Sequence, residues 1–371
     1  MIHCAVTWST WSGHGLLRMI VPDADTDVES NARAPRARAT HGRRLVFLLL
    51  TPILAITLCL GLLEVGLRVY CRIKPSADVE FFRYANLMKT AAPGRDVRFM
   101  HQPGSRLRLF GVDVEINSRG FRDVEIPATR TEGTKRILVL GDSVTFGWGV
   151  PYGQRFTEIV ARHWSNEGDS RYELINTGHG NYNSAQEYAL LAEQFEGEPL
   201  DGVIQVWYIN DAEPVPTHRD APWYSHVYTY IFFWSKRDLI RRRLGDLPTY
   251  VDYYKRLYEA DALGRAGFDE ALASTGRWTS QRSLPWVFVV LPEFHAFGDD
   301  GPFADIYHRV KRSAAAAGAK VVDATSAFHG HDPSSIWVAY NDVHPNATGH
   351  AIIARTILEQ VDKSEFKDGP Q

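Results

Sequence analysis

Four short clusters in this 371-residue chain carry the residue types that acyl chemistry needs. The first is Gly-Asp-Ser at 141–143, which ends the apolar run "RILVLG" and puts Ser143 just past a buried strand. The second is "NTGHGNYNS" (176–184), rich in Gly and Asn and therefore in accessible backbone N–H groups. The third is "YIND" (208–211), with Asn210 at the rim of a strand end. The fourth is "YNDVHPNATGH" (340–350), holding Asp342 and His344 just before the last helix. A serine hydroxyl is a poor nucleophile until a base takes its proton. A histidine is the commonest such base, and N–H donors aimed at the developing oxyanion lower the barrier further. Turn and capping roles explain any one cluster. They explain four together poorly, because each falls where a strand ends or the last helix opens.

The elements that must position these residues read as alternating strands and helices. Residues 136–141, 172–177, 202–208, 286–292 and 320–324 are short apolar runs, as in strands buried on both faces. Residues 155–164, 184–195, 306–318 and 348–361 have helical character, with Ser184 as N-cap of the second and Glu187 three positions on. The alternation predicts an α/β fold: a flavodoxin-like, doubly wound, five-stranded parallel sheet with helices on both faces. Ligands in such sheets collect beyond the carboxyl ends of the strands, where the four clusters lie. Residues 212–283 interrupt the rhythm. Their stretch "WYSHVYTYIFFWSKRDLIRRRLG" (223–245) begins aromatic and ends basic. It fits a lid, a membrane-surface element, part of a substrate cleft, or a helical insertion packed on the core.

Composition narrows the class. The chain is 44% hydrophobic and 23% charged, enough for a sizeable core, and its net charge of −3 gives no reason to expect nucleic acid as a partner. Its three cysteines are Cys4, Cys59 and Cys71, so nothing beyond residue 71 can form a disulfide or a cysteine metal site. His218, His295, His329 and His331 lack metal-ligand spacing, and "GWG" at 147–149 lacks the lysine of a phosphate loop. No metal and no cofactor is expected. The run "LVFLLLTPILAITLCLGLL" (45–63) carries no charge and as a helix is about 28 Å long, near the thickness of a hydrocarbon layer. Arg33, Arg36, Arg38, Arg43 and Arg44 precede it, while Arg68, Arg72 and Lys74 follow. This bias predicts a cytoplasmic, unstructured tail (1–44) and a transmembrane helix (45–67). A neck and lead-in strand segment (68–133) follows, then the α/β domain (134–364, with its insertion 212–283) and a tail (365–371). The chain is thus expected to be a single-pass membrane protein whose main domain is extracytoplasmic, in the periplasm. In the lead-in, Val112, Val114 and Ile116 alternate with Asp113, Glu115 and Asn117, the period of a half-buried strand.

The combination of clusters resembles the SGNH, or GDSL-type, hydrolase superfamily over roughly residues 134–362. The membrane helix followed by "INSRGFRD" resembles its bacterial, membrane-anchored branch. "GDSVTFG" matches the nucleophile block, which implies that Ser143 is the nucleophile. "HPN" matches the histidine block, which implies that His344 is the base. The resemblance also implies an oxyanion hole made by the N–H of Ser143, a backbone N–H of the second block and the Asn210 side chain. The chain departs from the family at several points. Tyr208 stands where a glycine is usual in the third block. The glycine usual five residues after Asn176 is Asn181, with Gly180 just before it; the N–H of Asn181 is the expected donor and that of Gly180 the second choice, since Asn tolerates positive φ. The aspartate usual three residues before the histidine is Asn341; Asp342, two before, is expected to orient the ring, with Asn341 or a backbone carbonyl as substitute. The implied activity is that of a serine esterase that removes acyl groups from carbohydrate or lipid through an acyl-serine. A polysaccharide O-acyltransferase of the same fold and a catalytically silent glycan-binding or assembly protein are the alternatives. The implied partners are the acylated substrate and, through the N-terminal helix, the membrane.

Overall fold

The computed structural model describes residues 38–167, 170–215, 222–245, 248–298 and 301–366. The chain divides after Thr57 into two compact units. Helix α1 (Arg38–Ile73) contains a stretch, Val46–Ile73, that is long and apolar enough to cross a membrane; most of its side chains are exposed, while Cys71 near its end is buried. The helix outlasts the expected 45–67 span at both ends. Nothing between Glu64 and Lys74 breaks a helix, and Pro75 just past its end disfavours helical geometry at Lys74. Pro52 lies within it. Residues 1–37 of the expected tail, and His218, lie outside the described residues.

In the second unit, helix α2 (Ala77–Leu87) leads into two antiparallel pairs. Strand β1 (Lys89–Ala91) pairs with β2 (Phe99–His101), and β3 (Arg106–Leu109) with β4 (Val112–Glu115). The alternation from Val112 to Ile116 buries Val114 and Ile116, as the period of two requires. The α/β part runs β5 (Thr134–Gly141), α3 (Ser143–Phe146), α4 (Phe156–Asn166), β6 (Arg171–Asn176), α5 (Ser184–Gln194) and β7 (Gly202–Trp207). The insertion follows as α6 (Tyr228–Arg243), α7 (Tyr250–Leu257) and α8 (Leu263–Gln281). Then come β8 (Trp286–Val290), α9 (Ala304–Ala316), β9 (Lys320–Asp323), α10 (Pro333–Ile336), β10 (Trp337–Ala339), β11 (Asp342–Pro345) and α11 (Ala347–Gln360).

The sheet has the order β6-β5-β7-β8-β9, and every pairing in it is parallel. This is the expected doubly wound, flavodoxin-like sheet. Strands β7 and β8 are buried at every position and β5 at all but one, so continuous apolar runs form them rather than alternating ones. In this strand order the chain direction switches between β5 and β7, so a crevice opens beyond their carboxyl ends. Ser143 follows β5 and Asn210 follows β7, which puts them on the two sides of that crevice.

The insertion does three different things. Helix α8 packs on α5 and α9, α6 packs on α2, and α7 reaches the crevice through two tyrosines. The carboxylate of Glu64 accepts from the backbone N–H groups of Tyr228 and Thr229 at 2.9 and 2.8 Å and from the Thr229 hydroxyl at 2.8 Å, capping the start of α6. One expectation fails at α5. Its N-cap is Asn183, whose side chain accepts from the Gln186 N–H, whereas Ser184 is already in the helix and donates its hydroxyl to Asp211.

Candidate active site

Ser143 is the first residue of α3, a single turn capped by Asp142, whose carboxylate accepts from the Val144 N–H at 2.8 Å. The buried strand β5 fixes where that turn starts, and the turn aims the Ser143 hydroxyl outward from the sheet. Its Oγ lies 2.8 Å from Nε2 of His344, 201 positions away. His344 sits on β11, which pairs with β10 just ahead of α11. Its Nδ1 lies 2.5 Å from Oδ1 of Asp342, and its backbone N–H donates to the same carboxylate at 3.1 Å. The other carboxylate oxygen accepts from the indole N–H of Trp148 at 2.7 Å. Asp342 therefore reaches the ring with a spacing of two, while Asn341 is exposed to solvent.

Electrostatics follow from these contacts. Burial alone would push the Asp342 carboxyl up, but His344 and Trp148 hold it below its ordinary range. Burial alone would push His344 down, but the charge and hydrogen bond of Asp342, helped by Asp142, raise it above the ordinary imidazole value. The imidazole is also boxed in: the Phe81 ring lies 5.4 Å away and the Trp148 ring 6.0 Å away, and those two rings stack on each other at 4.4 Å. Trp148 gets there because Gly147 and Gly149, on either side, both have positive φ (79° and 70°).

The second cluster wraps around the same turn. Asn176 donates to the Thr145 carbonyl at 2.7 Å and accepts from the Gly178 N–H, so it ties its loop to α3. The Gly180 N–H is spent on the Tyr84 hydroxyl at 2.9 Å, and Gly180 is not part of the cavity wall. Asn181 takes φ = 69° and does line the cavity. Among the described residues, neither its N–H nor that of Ser143 has a protein acceptor. Asn210, in a short turn after β7, lines the same cavity, and its side chain counteracts part of the upward push that burial gives the Asp142 carboxyl.

A cavity of about 230 Å³ joins these groups, with Ser143, His344, Asn181 and Asn210 in its wall. Phe81, Tyr208, Tyr250, Tyr254 and Phe294 supply an aromatic lining, and Glu213 a half-buried carboxyl. The sequence clusters did not point to Phe81, Tyr84, Tyr250 or Tyr254, which come from α2 and the insertion. For Trp148 a signal existed: an aromatic residue between two glycines directly after the serine turn.

The remaining polar residues of the clusters are structural. His179 stacks between His101 (3.9 Å) and Tyr182 (4.4 Å), and burial pushes it down to about 3. His350 accepts from the Phe156 N–H, and burial pushes it down to about 3 as well. Both rings stay neutral, and neither lines the cavity that Ser143 faces. Beneath the site, Glu187 hydrogen-bonds to Gln205 at 2.8 Å, and burial pushes the Glu187 and Asp211 carboxyls upward. Among the described residues no group of three or more His, Cys, Asp or Glu is arranged to hold a metal ion.

No family model matches the sequence. No curated protein matches it either. Solved structures do. An acetylxylan esterase from Geobacillus stearothermophilus is 20% identical, with a TM-score of 0.40 over 63% of this chain and 94% of that one. TesA is 15% identical, with a TM-score of 0.40 over 61% of this chain and 97% of that one. A member of the lipolytic G-D-S-L family from Veillonella parvula is 17% identical, with a TM-score of 0.36 over 61% and 97%.

Proposed function

We propose that this chain is a serine esterase of the SGNH type that cleaves short acyl esters through an acyl-Ser143 intermediate. One observation carries the reading: Oγ of Ser143, the ring of His344 and the carboxylate of Asp342 form an unbroken hydrogen-bonded series with links of 2.8 and 2.5 Å. In the proposed reaction, Nε2 of His344 takes the Ser143 proton as Oγ bonds to the ester carbonyl carbon. Asp342 holds Nδ1 protonated and offsets the charge of the imidazolium. The N–H groups of Ser143 and Asn181 and the amide of Asn210 receive the oxyanion. As the tetrahedral species collapses, the C–O bond to the alcohol breaks and His344 returns its proton to the leaving oxygen. Water then attacks the acyl-serine, His344 again taking and returning a proton, and a carboxylic acid leaves.

The cavity favours a small acyl group. Its volume of about 230 Å³ lies under the roughly 300–1,000 Å³ of pockets that enclose drug-sized ligands. Its aromatic wall suits the apolar face of a sugar ring, so an O-acylated carbohydrate, such as an O-acetyl ester, is the preferred substrate class over a long-chain lipid. We place the enzyme at a membrane, with α1 as the anchor and the α/β domain on the extracytoplasmic side. The apolar stretch of α1 and the arginines ahead of it support that placement.

The test is hydrolysis of p-nitrophenyl acetate and of acetylated oligosaccharides by the full chain in detergent. Acetate release that disappears in Ser143→Ala is the expected result. Activity retained by Ser143→Ala contradicts the reading. Acetyl transfer to an added oligosaccharide in preference to water would mark the same acyl-serine as that of a transferase.

A further inference from the structure

The 180–181 peptide is gripped from behind by a lysine that no motif contains. Lys89 opens β1, well before the α/β domain, and is buried. Its ammonium donates to the Gly180 carbonyl at 2.6 Å and to Oδ1 of Asn181 at 2.9 Å. The Tyr84 and Phe99 rings flank it, with centroids 4.7 and 4.2 Å from Nζ. Among the described residues it has no carboxylate partner. Burial pushes the amine down to about 7. An unpaired buried lysine costs stability, so its presence calls for a return elsewhere.

The peptide plane supplies that return. A trans peptide is flat, and its C=O and N–H point in opposite directions. The carbonyl of Gly180 and the N–H of Asn181 belong to one such plane. Fixing the carbonyl on Lys89 therefore fixes the N–H on the opposite side, and Asn181 lines the cavity that holds Ser143. The second contact, to Oδ1 of Asn181, holds the side chain of the residue whose φ is 69°. That backbone region is costly for residues other than glycine, and asparagine is among those that tolerate it best. The Tyr84 hydroxyl ties down the preceding N–H, so the loop is held on both sides of the plane. A donor to the carbonyl also polarises the peptide and strengthens its N–H as a donor.

We propose that Lys89 is the positioning residue of the oxyanion hole, aiming the Asn181 N–H at the developing oxyanion by holding the Gly180 carbonyl and the Asn181 side chain. Asparagine stands at that position because its amide oxygen gives the lysine a second hold. The proposal rests on the acyl-serine reading of the site.

The experiment compares Lys89→Met in two backgrounds, the natural chain and Asn181→Gly. The readouts are kcat and KM for p-nitrophenyl acetate, the rate at which a fluorophosphonate labels Ser143, and the melting temperature. Methionine matches the length of lysine but cannot donate. In the natural background, Lys89→Met is expected to lower kcat and the labelling rate about 10- to 100-fold, short of the roughly 100- to 1,000-fold loss for removing a donor outright. KM should change less than threefold, and the melting temperature should not fall. In the Asn181→Gly background the same replacement should cost at least threefold less, because the side-chain hold is already gone. A lysine that serves folding alone would lower the melting temperature and leave kcat per folded molecule unchanged, which overturns the proposal. Equal losses of kcat in the two backgrounds overturn it as well. Should Lys89→Met not accumulate folded, Lys89→Leu is the second apolar replacement that cannot donate; natural kcat in that folded variant also overturns the proposal. If Ser143 of the natural protein is not labelled at all, the acyl-serine reading fails; if it labels and Lys89→Met labels equally fast, only the role of Lys89 fails.

Discussion

The indole N–H of Trp148 lies 2.7 Å from Oδ2 of Asp342, while the other oxygen of that carboxylate holds His344. Asp342 is thus engaged on both oxygens and nearly sealed from water. The indole fixes the carboxylate so that it can fix the imidazole, and Phe81 stacked on Trp148 backs the pair. Replacing Trp148 by Phe keeps the ring but leaves a buried carboxylate oxygen unpaired. That should cost about 1–3 kcal/mol of stability. The looser carboxylate should also lower kcat by roughly tenfold, as expected when a reacting group loses its orientation. Thermal unfolding and steady-state kinetics on the one variant check both.

The spacing of two between Asp342 and His344 makes a sharp prediction. Asp342→Asn should lower kcat by about four orders of magnitude, the loss seen when the triad acid of a serine protease is made an amide. Asn341→Ala, at the exposed neighbour, should leave kcat within about twofold of natural, as surface changes away from special features generally do. Parallel kcat measurements on the two variants decide which residue serves the ring.

Asn210 is expected to act mainly in the transition state. Asn210→Ala should reduce kcat roughly 100- to 1,000-fold with a smaller change in KM, the pattern for loss of an oxyanion donor. A rise in KM with unchanged kcat would instead assign it to ground-state binding.

The pH dependence has a fixed sign. His344 works only when Nε2 is unprotonated, and Asp342 holds its pKa above the ordinary value of about 6.5. The kcat/KM profile should therefore fall on acidification, with a midpoint above about 6.5. Stability should respond differently. His179 and His350 are pushed down to about 3 in the folded chain, so below about 6.5 the unfolded chain binds protons that the folded chain refuses. The two histidines should cost stability progressively as pH falls from about 6.5 toward 3, which melting curves across that range will show.

Much of this was legible in the sequence because period and punctuation are local. The apolar runs mark all five strands of the sheet and their order of appearance, and the polar clusters at their ends contain Ser143, Asn181, Asn210 and His344, which the fold brings to one cavity. Asn181 ranks ahead of Gly180 in the sequence only through its tolerance of positive φ; the contact that separates them is the Tyr84 hydroxyl, 96 positions away. The same holds for Lys89 and Phe81. Each acts across the fold, on a partner that no spacing rule connects to it. Tyr250 and Tyr254 lie in the insertion beyond the aromatic stretch 223–245, for which a substrate cleft is only one of four readings, so nothing in the sequence singles them out. The cap of α5 was misplaced by one residue because both Asn183 and Ser184 can cap, and the buried Asp211 drew the serine hydroxyl away.

Activation of the Ser143 oxygen by His344 is the step on which acyl chemistry at this site depends. Peptide mass spectrometry after brief exposure of the full chain to a fluorophosphonate tests this directly: attack by Oγ forms the P–O bond and releases fluoride, the serine proton passing to His344. The predicted outcome is a single adduct on the Ser143 peptide, forming at least a hundredfold more slowly in His344→Ala. An adduct on another residue, or a Ser143 adduct that forms as fast without the imidazole, would contradict it.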